Sequence, residues 1–281
     1  MARTVVVGVE GTGSSHDAVI WAARAAGSRR DELEIVYAIG VPNADMDLLY
    51  DDGVNQGAES LLRAESARAL AAAPGITVRT TLSRSTPGKA LTEASEHAAL
   101  VVVGSHPHGV LGRVFAGSLS YQVAAGAHCP ALVVPLGVGD AGSGVVVGSD
   151  GSPDSVAAVA LAAVEADRLG QELTVVHAWQ SPVTYLSVDV VIGFHDEITE
   201  ERESVLLAES VAGLGERFPD LVIHRALVHE QPAQALLDAA DGARLLVVGS
   251  RGLQGVARML LGSVSHTVVQ HAPCPVLVVR T

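Results

Sequence analysis

Short runs of β-branched and aliphatic residues alternate with longer stretches whose apolar positions recur at helical spacing. In the first half, Thr4–Val9, Glu34–Ala38, Thr77–Leu82, Leu100–Val103 and Ala131–Val134 read as strands. Several are unbroken apolar runs, the pattern of parallel strands covered on both faces. Between them Asp17–Ala26, Gly57–Ala72, Gly88–Ala98 and Ser118–Ala127 are alanine-rich and helical in period. Strands alternating with helices imply right-handed crossovers and a doubly wound parallel sheet. Such sheets bind ligands at the carboxyl ends of their strands, near the point where the strand order reverses.

The pattern then repeats. Val5-Val6-Val7-Gly8-Val9-Glu10-Gly11 returns as Val145-Val146-Val147-Gly148-Ser149-Asp150-Gly151, an offset of 140. Leu100-Val101-Val102-Val103-Gly104-Ser105 returns as Leu245-Leu246-Val247-Val248-Gly249-Ser250, an offset of 145. Gly117-Ser118-Leu119-Ser120 matches Gly262-Ser263-Val264-Ser265, and Cys129-Pro130 matches Cys274-Pro275. The growing offset predicts loops of unequal length near Pro42–Gln56 and Pro182–Thr199. Two tandem α/β domains are expected, at 1–138 and 144–281, each a five-stranded parallel sheet flanked by helices. Gly137–Gly144 reads as a flexible linker between them.

Composition narrows the function. The 281 residues suit two domains, and 48% apolar content supplies ample core. Net charge is −13, which disfavours a nucleic-acid surface or a polybasic membrane anchor. The longest stretch free of Asp, Glu, Lys and Arg, Val114–Gly139, contains Gly117, Gly126, Pro130 and Pro135 and does not suit a spanning helix. The amino terminus lacks a signal-peptide pattern, so a cytoplasmic location is expected. Cys129 and Cys274 allow one bridge or two buried free thiols, the latter suiting a reducing compartment. Lys89 is the only lysine, so a phosphate would be held mainly by backbone N–H groups, arginine or a metal ion.

After its fourth strand the second half reads Gly249-Ser250-Arg251-Gly252, then nine residues, then Gly262-Ser263. Gly249 and Gly252 allow backbone to approach a ligand, and Gly262-Ser263 lies where a helix should begin with N–H groups and a positive dipole end exposed. Ser263 and Ser265 could add hydroxyl donors, with Arg251 and Arg258 nearby. In the first half Pro107 replaces the second glycine and removes a donor, and Glu10 stands where Asp150 does.

This pattern resembles the ATP-binding branch of the universal stress protein family. It covers nearly the whole chain through Val147–Ser152, Val176-His177-Ala178, the Gly-x2-Gly-x9-Gly-Ser string and Cys274–Val279. The resemblance implies an adenine-nucleotide alpha-hydrolase-like fold binding ATP with Mg²⁺. By it, Gly148, Ser149 and Asp150 flank the nucleoside, the Ala178 backbone reads adenine, and Gly249 lies near the ribose. Gly252, Gly262, Ser263, Val264 and Ser265 would hold the phosphates, with Arg251 beside them. The first half's weaker equivalents are Glu10, Ala38, Gly104, Gly117, Ser118 and Ser120. The family's fifth strands pair domains, so Ala131–Val134 and Val276–Val279 could pair within the chain, and a homodimer and a regulatory protein partner are expected.

Other chemistry fits less well. Gly88-Lys89-Ala90 is no Walker loop, and Gly11–His16 lacks the third glycine of a dinucleotide fingerprint. No Gly-x-Ser-x-Gly elbow occurs, and His106 and His108 alone make no closed metal site. A regulatory ATP-binding module is the leading expectation, with a slow ATPase or nucleotidyl transferase and a nucleotide-free interaction module as alternatives. Ser14 or Ser15, and Ser152 or Asp154, read as helix caps, Glu200-Glu201-Arg202-Glu203 as a solvated face, and Trp21 and Trp179 as packing residues.

Overall fold

A computed structural model describes residues 3–40, 52–105, 119–138, 142–180, 192–252 and 261–280. The chain divides into two compact units, Met1–Asp140 and Ala141–Thr281. The first runs Thr4–Val9 (β1), Gly13–Arg29 (α1), Glu32–Ala38 (β2), Asp52–Ala72 (α2), Val78–Ser83 (β3), Pro87–Ser95 (α3), Leu100–Ser105 (β4), Leu119–Gly126 (α4) and Ala131–Pro135 (β5). The second runs Val145–Gly148 (β6), Pro153–Leu169 (α5), Leu173–Trp179 (β7), Ile192–Ser210 (α6), Leu214–Arg217 (α7), Ile223–His229 (β8), Pro232–Ala239 (α8), Leu245–Gly249 (β9), Ser263–His271 (α9) and Val276–Val279 (β10).

Each unit is an α/β fold with five parallel strands. Within the first the order is β3-β2-β1-β4-β5, and within the second β8-β7-β6-β9-β10. The valine runs of β1, β4, β6 and β9 are buried, as expected where helices cover both faces. Adjacent positions in parallel strands share a face. A side chain at Gly148 would meet Leu236 of α8, whereas one at Gly249 would meet Asp154 of α5, so α5 and α8 cover opposite faces.

Strand order reverses between β1 and β4, and between β6 and β9, opening a crevice at their carboxyl ends. The turn that leaves β6 needs Gly151, whose φ is +77°; Gly11 holds the same place after β1 at +80°. Ser152 then caps α5, its Oγ accepting from Ser155 N–H at 3.2 Å. The cap of α1 is Thr12 rather than Ser14 or Ser15, because Ser15 sits inside the first turn and its Oγ accepts from Thr12 N–H.

Three expectations are revised. Helices α2 and α6 begin inside the segments read as loops; residues 41–51 and 181–191 lie outside the described residues. Gly142–Gly144 is not a free linker: Ser143 N–H donates to Gly242 O, and Gly144 N–H to Gln171 Oε1. At its other end Gly137 N–H donates to Asp17 Oδ2 at 2.8 Å. Glu203, within the supposed solvated run, turns inward to His177. Both tryptophans are buried, and the two cysteines are buried free thiols. Among the described residues, no helix is long and apolar enough to cross a membrane.

Candidate functional site

Asp150 leaves β6 and Gly252 follows β9, 102 positions later in the chain, yet the fold brings them together. A Cβ on Gly252 would lie 2.5 Å from Asp150 Oδ2. The other carboxylate oxygen, Oδ1, accepts from Ser152 N–H at 2.9 Å, which fixes the side chain over its own turn. Absence of a side chain at 252 therefore lets the two strand exits close on each other. In the first unit, Glu10 is exposed and its Oε1 accepts from Thr12 Oγ1 at 2.9 Å.

Ser250 ties the second strand exit to the helix that follows. Its N–H donates to Val279 O at 2.7 Å, and its carbonyl accepts from Gly262 N–H at 2.8 Å and from Ser265 Oγ at 3.0 Å. Its hydroxyl donates to Asp154 Oδ2 at 2.8 Å. All three polar groups of a residue only 1% exposed are thus engaged. The result pins the start of α9 to the turn after β9. Ser265, expected to offer its hydroxyl to phosphate, instead donates it to Ser250 O and Gly262 O, because burial requires a local acceptor.

Gly262 is the N-cap of α9, extended at φ −67°, with no side-chain capping bond. A Cβ there would find its nearest neighbour at 3.5 Å, so neither packing nor backbone conformation demands glycine. Ser263 is exposed and Val264 half-buried in the first turn. The opening N–H groups of a helix without a side-chain cap suit an anion. By contrast, Gly249 is explained within the protein: a Cβ would stand 2.9 Å from the Asp154 carbonyl carbon.

Along the same rim, His177 is 5% exposed and bridges two acceptors. Nδ1 donates to Ser149 O at 2.6 Å, and Nε2 lies 2.5 Å from Glu203 Oε2. Since Nδ1 must carry hydrogen to meet a carbonyl, the second bond needs another proton, on the imidazole or the carboxyl. Next to it, Ala178 is half-buried at the end of β7, and the Trp179 ring stacks on His229 at 4.3 Å. The Ser149 hydroxyl is buried and has no hydrogen-bond partner among the described residues, which leaves one donor and acceptor uncommitted beside Asp150.

The second unit's expected residues therefore converge on one rim, except that Gly249 and Ser265 are accounted for by internal packing and bonding. In the first unit Ala38 ends β2, Gly104 packs on Ser14 and Ser120 is buried in α4; Gly117, Ser118, Pro107, His106 and His108 lie outside the described residues, as does Arg258. Among the described residues, no three His, Cys, Asp or Glu side chains gather as a metal ion would require. Sequence reasoning passed over Ser250 as a hub and Asp154 as anything but a cap.

The universal stress protein family model matches residues 1–135 and again 144–280. The chain belongs to the universal stress protein family. It is 36% identical to a universal stress protein of Mycolicibacterium smegmatis, over 98% of this chain and 96% of that one. A universal stress protein of Mycobacterium tuberculosis is also 36% identical, with the same coverage. Among solved structures, a universal stress protein from Archaeoglobus fulgidus matches with TM-score 0.71 and 21% identity, covering 99% of this chain and 98% of that one. That likeness supports the tandem fold.

Proposed function

We propose that the second unit binds ATP and that this universal stress protein uses the bound nucleotide as a regulatory signal in a stress response. The observation that carries this reading is the pinning of the α9 N-terminus, through Ser250, beside the place where Asp150 and Gly252 meet. Asp150 is suited to accept from ribose hydroxyls, the Ala178 backbone to pair with a purine edge, and Gly262, Ser263 and Val264 to donate to phosphates. The uncommitted Ser149 hydroxyl, the uncapped helix and the glycine at 262 are features a nucleotide would use. Mg²⁺ would arrive with the triphosphate.

Binding without turnover is the form of this function. The buried hydroxyls nearest the phosphate cradle, Ser250 and Ser265, are committed to internal acceptors and are poorly placed to act as nucleophile or base. Domains at 1–138 and 144–281, a cytoplasmic location, assembly as a homodimer and a protein partner that reads the nucleotide state complete the proposal. Denaturing freshly purified protein and identifying the released small molecule tests it. An adenine nucleotide is expected; its absence, together with no heat of binding for MgATP, overturns it.

A further inference from the structure

Asp154 lies in the first turn of α5, and its side chain is 8% exposed. Its Oδ2 accepts from Ser250 Oγ at 2.8 Å, from Arg251 N–H at 3.2 Å and from Arg251 Nε at 3.3 Å. All three donors belong to the two residues between Gly249 and Gly252. The backbone of Asp154 also packs into the space that a side chain at Gly249 would fill. One buried carboxylate thus grips the turn after β9 from 96 residues away in sequence.

We propose that Asp154 is the positioning residue of the nucleotide site: it holds Ser250 and Arg251 so that the Gly252 turn and the start of α9 present their N–H groups to phosphate. The inference rests on reading the second unit as an adenine-nucleotide site. The first unit shows what the scaffold does without this residue. At the offset of 140 its counterpart is Ser14, whose backbone packs on Gly104 in the same way. The Ser14 hydroxyl, shorter and uncharged, lies 3.2 Å from Thr12 Oγ1, in its own turn. The packing of helix on strand exit is common to both units, and the charged grip is specific to the second.

A carboxylate close to a phosphate site would ordinarily repel the ligand. Here the Arg251 guanidinium, a backbone N–H and a hydroxyl all face Asp154 Oδ2, so its charge is answered locally. Arg251 is correspondingly held by protein. Phosphate recognition then falls to backbone donors, in keeping with a chain that has one lysine.

The test compares ATP with adenosine in the full chain. Asp154→Ser, which imports the first unit's residue, should weaken ATP by at least about tenfold, the effect of losing one hydrogen bond to a charged group. Adenosine, which lacks phosphates, should keep its affinity within about threefold, below the tenfold of one such bond. Asp154→Asn preserves the shape and should fall between the two, which carries the test if the serine variant does not fold. Exchange of the Arg251 amide should accelerate in the serine variant, since that N–H loses its acceptor. Equal weakening of ATP and adenosine, or no change in either, overturns the positioning role while the wild type still binds. A wild type that binds neither ligand overturns the nucleotide reading, and the positioning role with it.

Discussion

The two units share strand order and register, yet they differ at the rim where a ligand would sit. In the first, Glu10 is exposed and turned to Thr12; in the second, Asp150 is half-buried and lies against Gly252. Behind it the second unit has Asp154 where the first has Ser14, and His177 where the first has Tyr37. The latter equivalence follows from register, since Val36 sits beside Gly8 as Val176 sits beside Gly148. The polar pairs inside the units differ too. The first unit spans α1 and α2 with His16 and Glu65, 3.1 Å apart, whereas the second links β7 to α6 through His177 and Glu203. One scaffold thus supports two different polar interiors.

The largest expected effect breaks the nucleotide half of this comparison. Gly252→Glu places a carboxylate against Asp150 and should reduce ATP binding by more than about a hundredfold, as like-charge contact and lost approach combine. Glu10→Ala in the first unit should leave calorimetric affinity unchanged within about twofold, less than the worth of one hydrogen bond. Equal losses from both changes would mean that the units share the work.

Next comes the buried pair. Glu203→Ala strands the His177 Nε2 inside the protein and should destabilise the fold by about 2 kcal/mol in urea unfolding, the range for hydrogen bonds to charged groups. The matching position in the first unit is Ala58, already alanine and buried; the alignment follows from Leu61 and Leu206, which pack on Gly11 and Gly151. A loss below the range for a neutral hydrogen bond would show that the second unit does not depend on this link.

A backbone difference comes next. Helix α1 ends at Arg30 with φ 59°, and α5 ends at Gly170 with φ 61°. Left-handed backbone costs an L-residue roughly 1 kcal/mol, so Arg30→Gly should raise the melting temperature, with a gain of up to about 1 kcal/mol. No gain would mean that the arginine side chain compensates for its backbone.

The cysteines should not distinguish the units. Burial pushes both thiols up to about 11. The folded state therefore favours the protonated form, and its advantage is complete below the ordinary thiol range. As pH rises through that range toward about 11 the unfolded chain ionises first, so stability falls. At neutral pH no such loss occurs. Alkylation at neutral pH should spare Cys129 and Cys274 equally until the protein is denatured, and preferential labelling of one would break the symmetry.

Much of this fold is legible in the residues themselves. β1 runs from Thr4 to Val9 as its apolar run predicts, and α9 begins directly after Gly262. Local patterns suffice there because apolar period and capping act over a few neighbours. The site is legible only in outline. Asp150, Gly252 and Gly262 stand out by spacing, but the Asp154–Ser250 bond joins residues 96 apart, and His177–Glu203 joins residues 26 apart. Glu203 in its charged run resembles any solvated acid until β7 supplies a buried imidazole. Likewise Gly249 looks like a ligand contact until the first turn of α5 is seen to need its space.

The central claim is that one of two similar folds carries the nucleotide. Titrating the full, nucleotide-free chain with MgATP and counting sites tests it most directly. The account predicts one ATP per chain, lost in Gly252→Glu. Two sites of equal affinity, or one that survives that substitution, would contradict it.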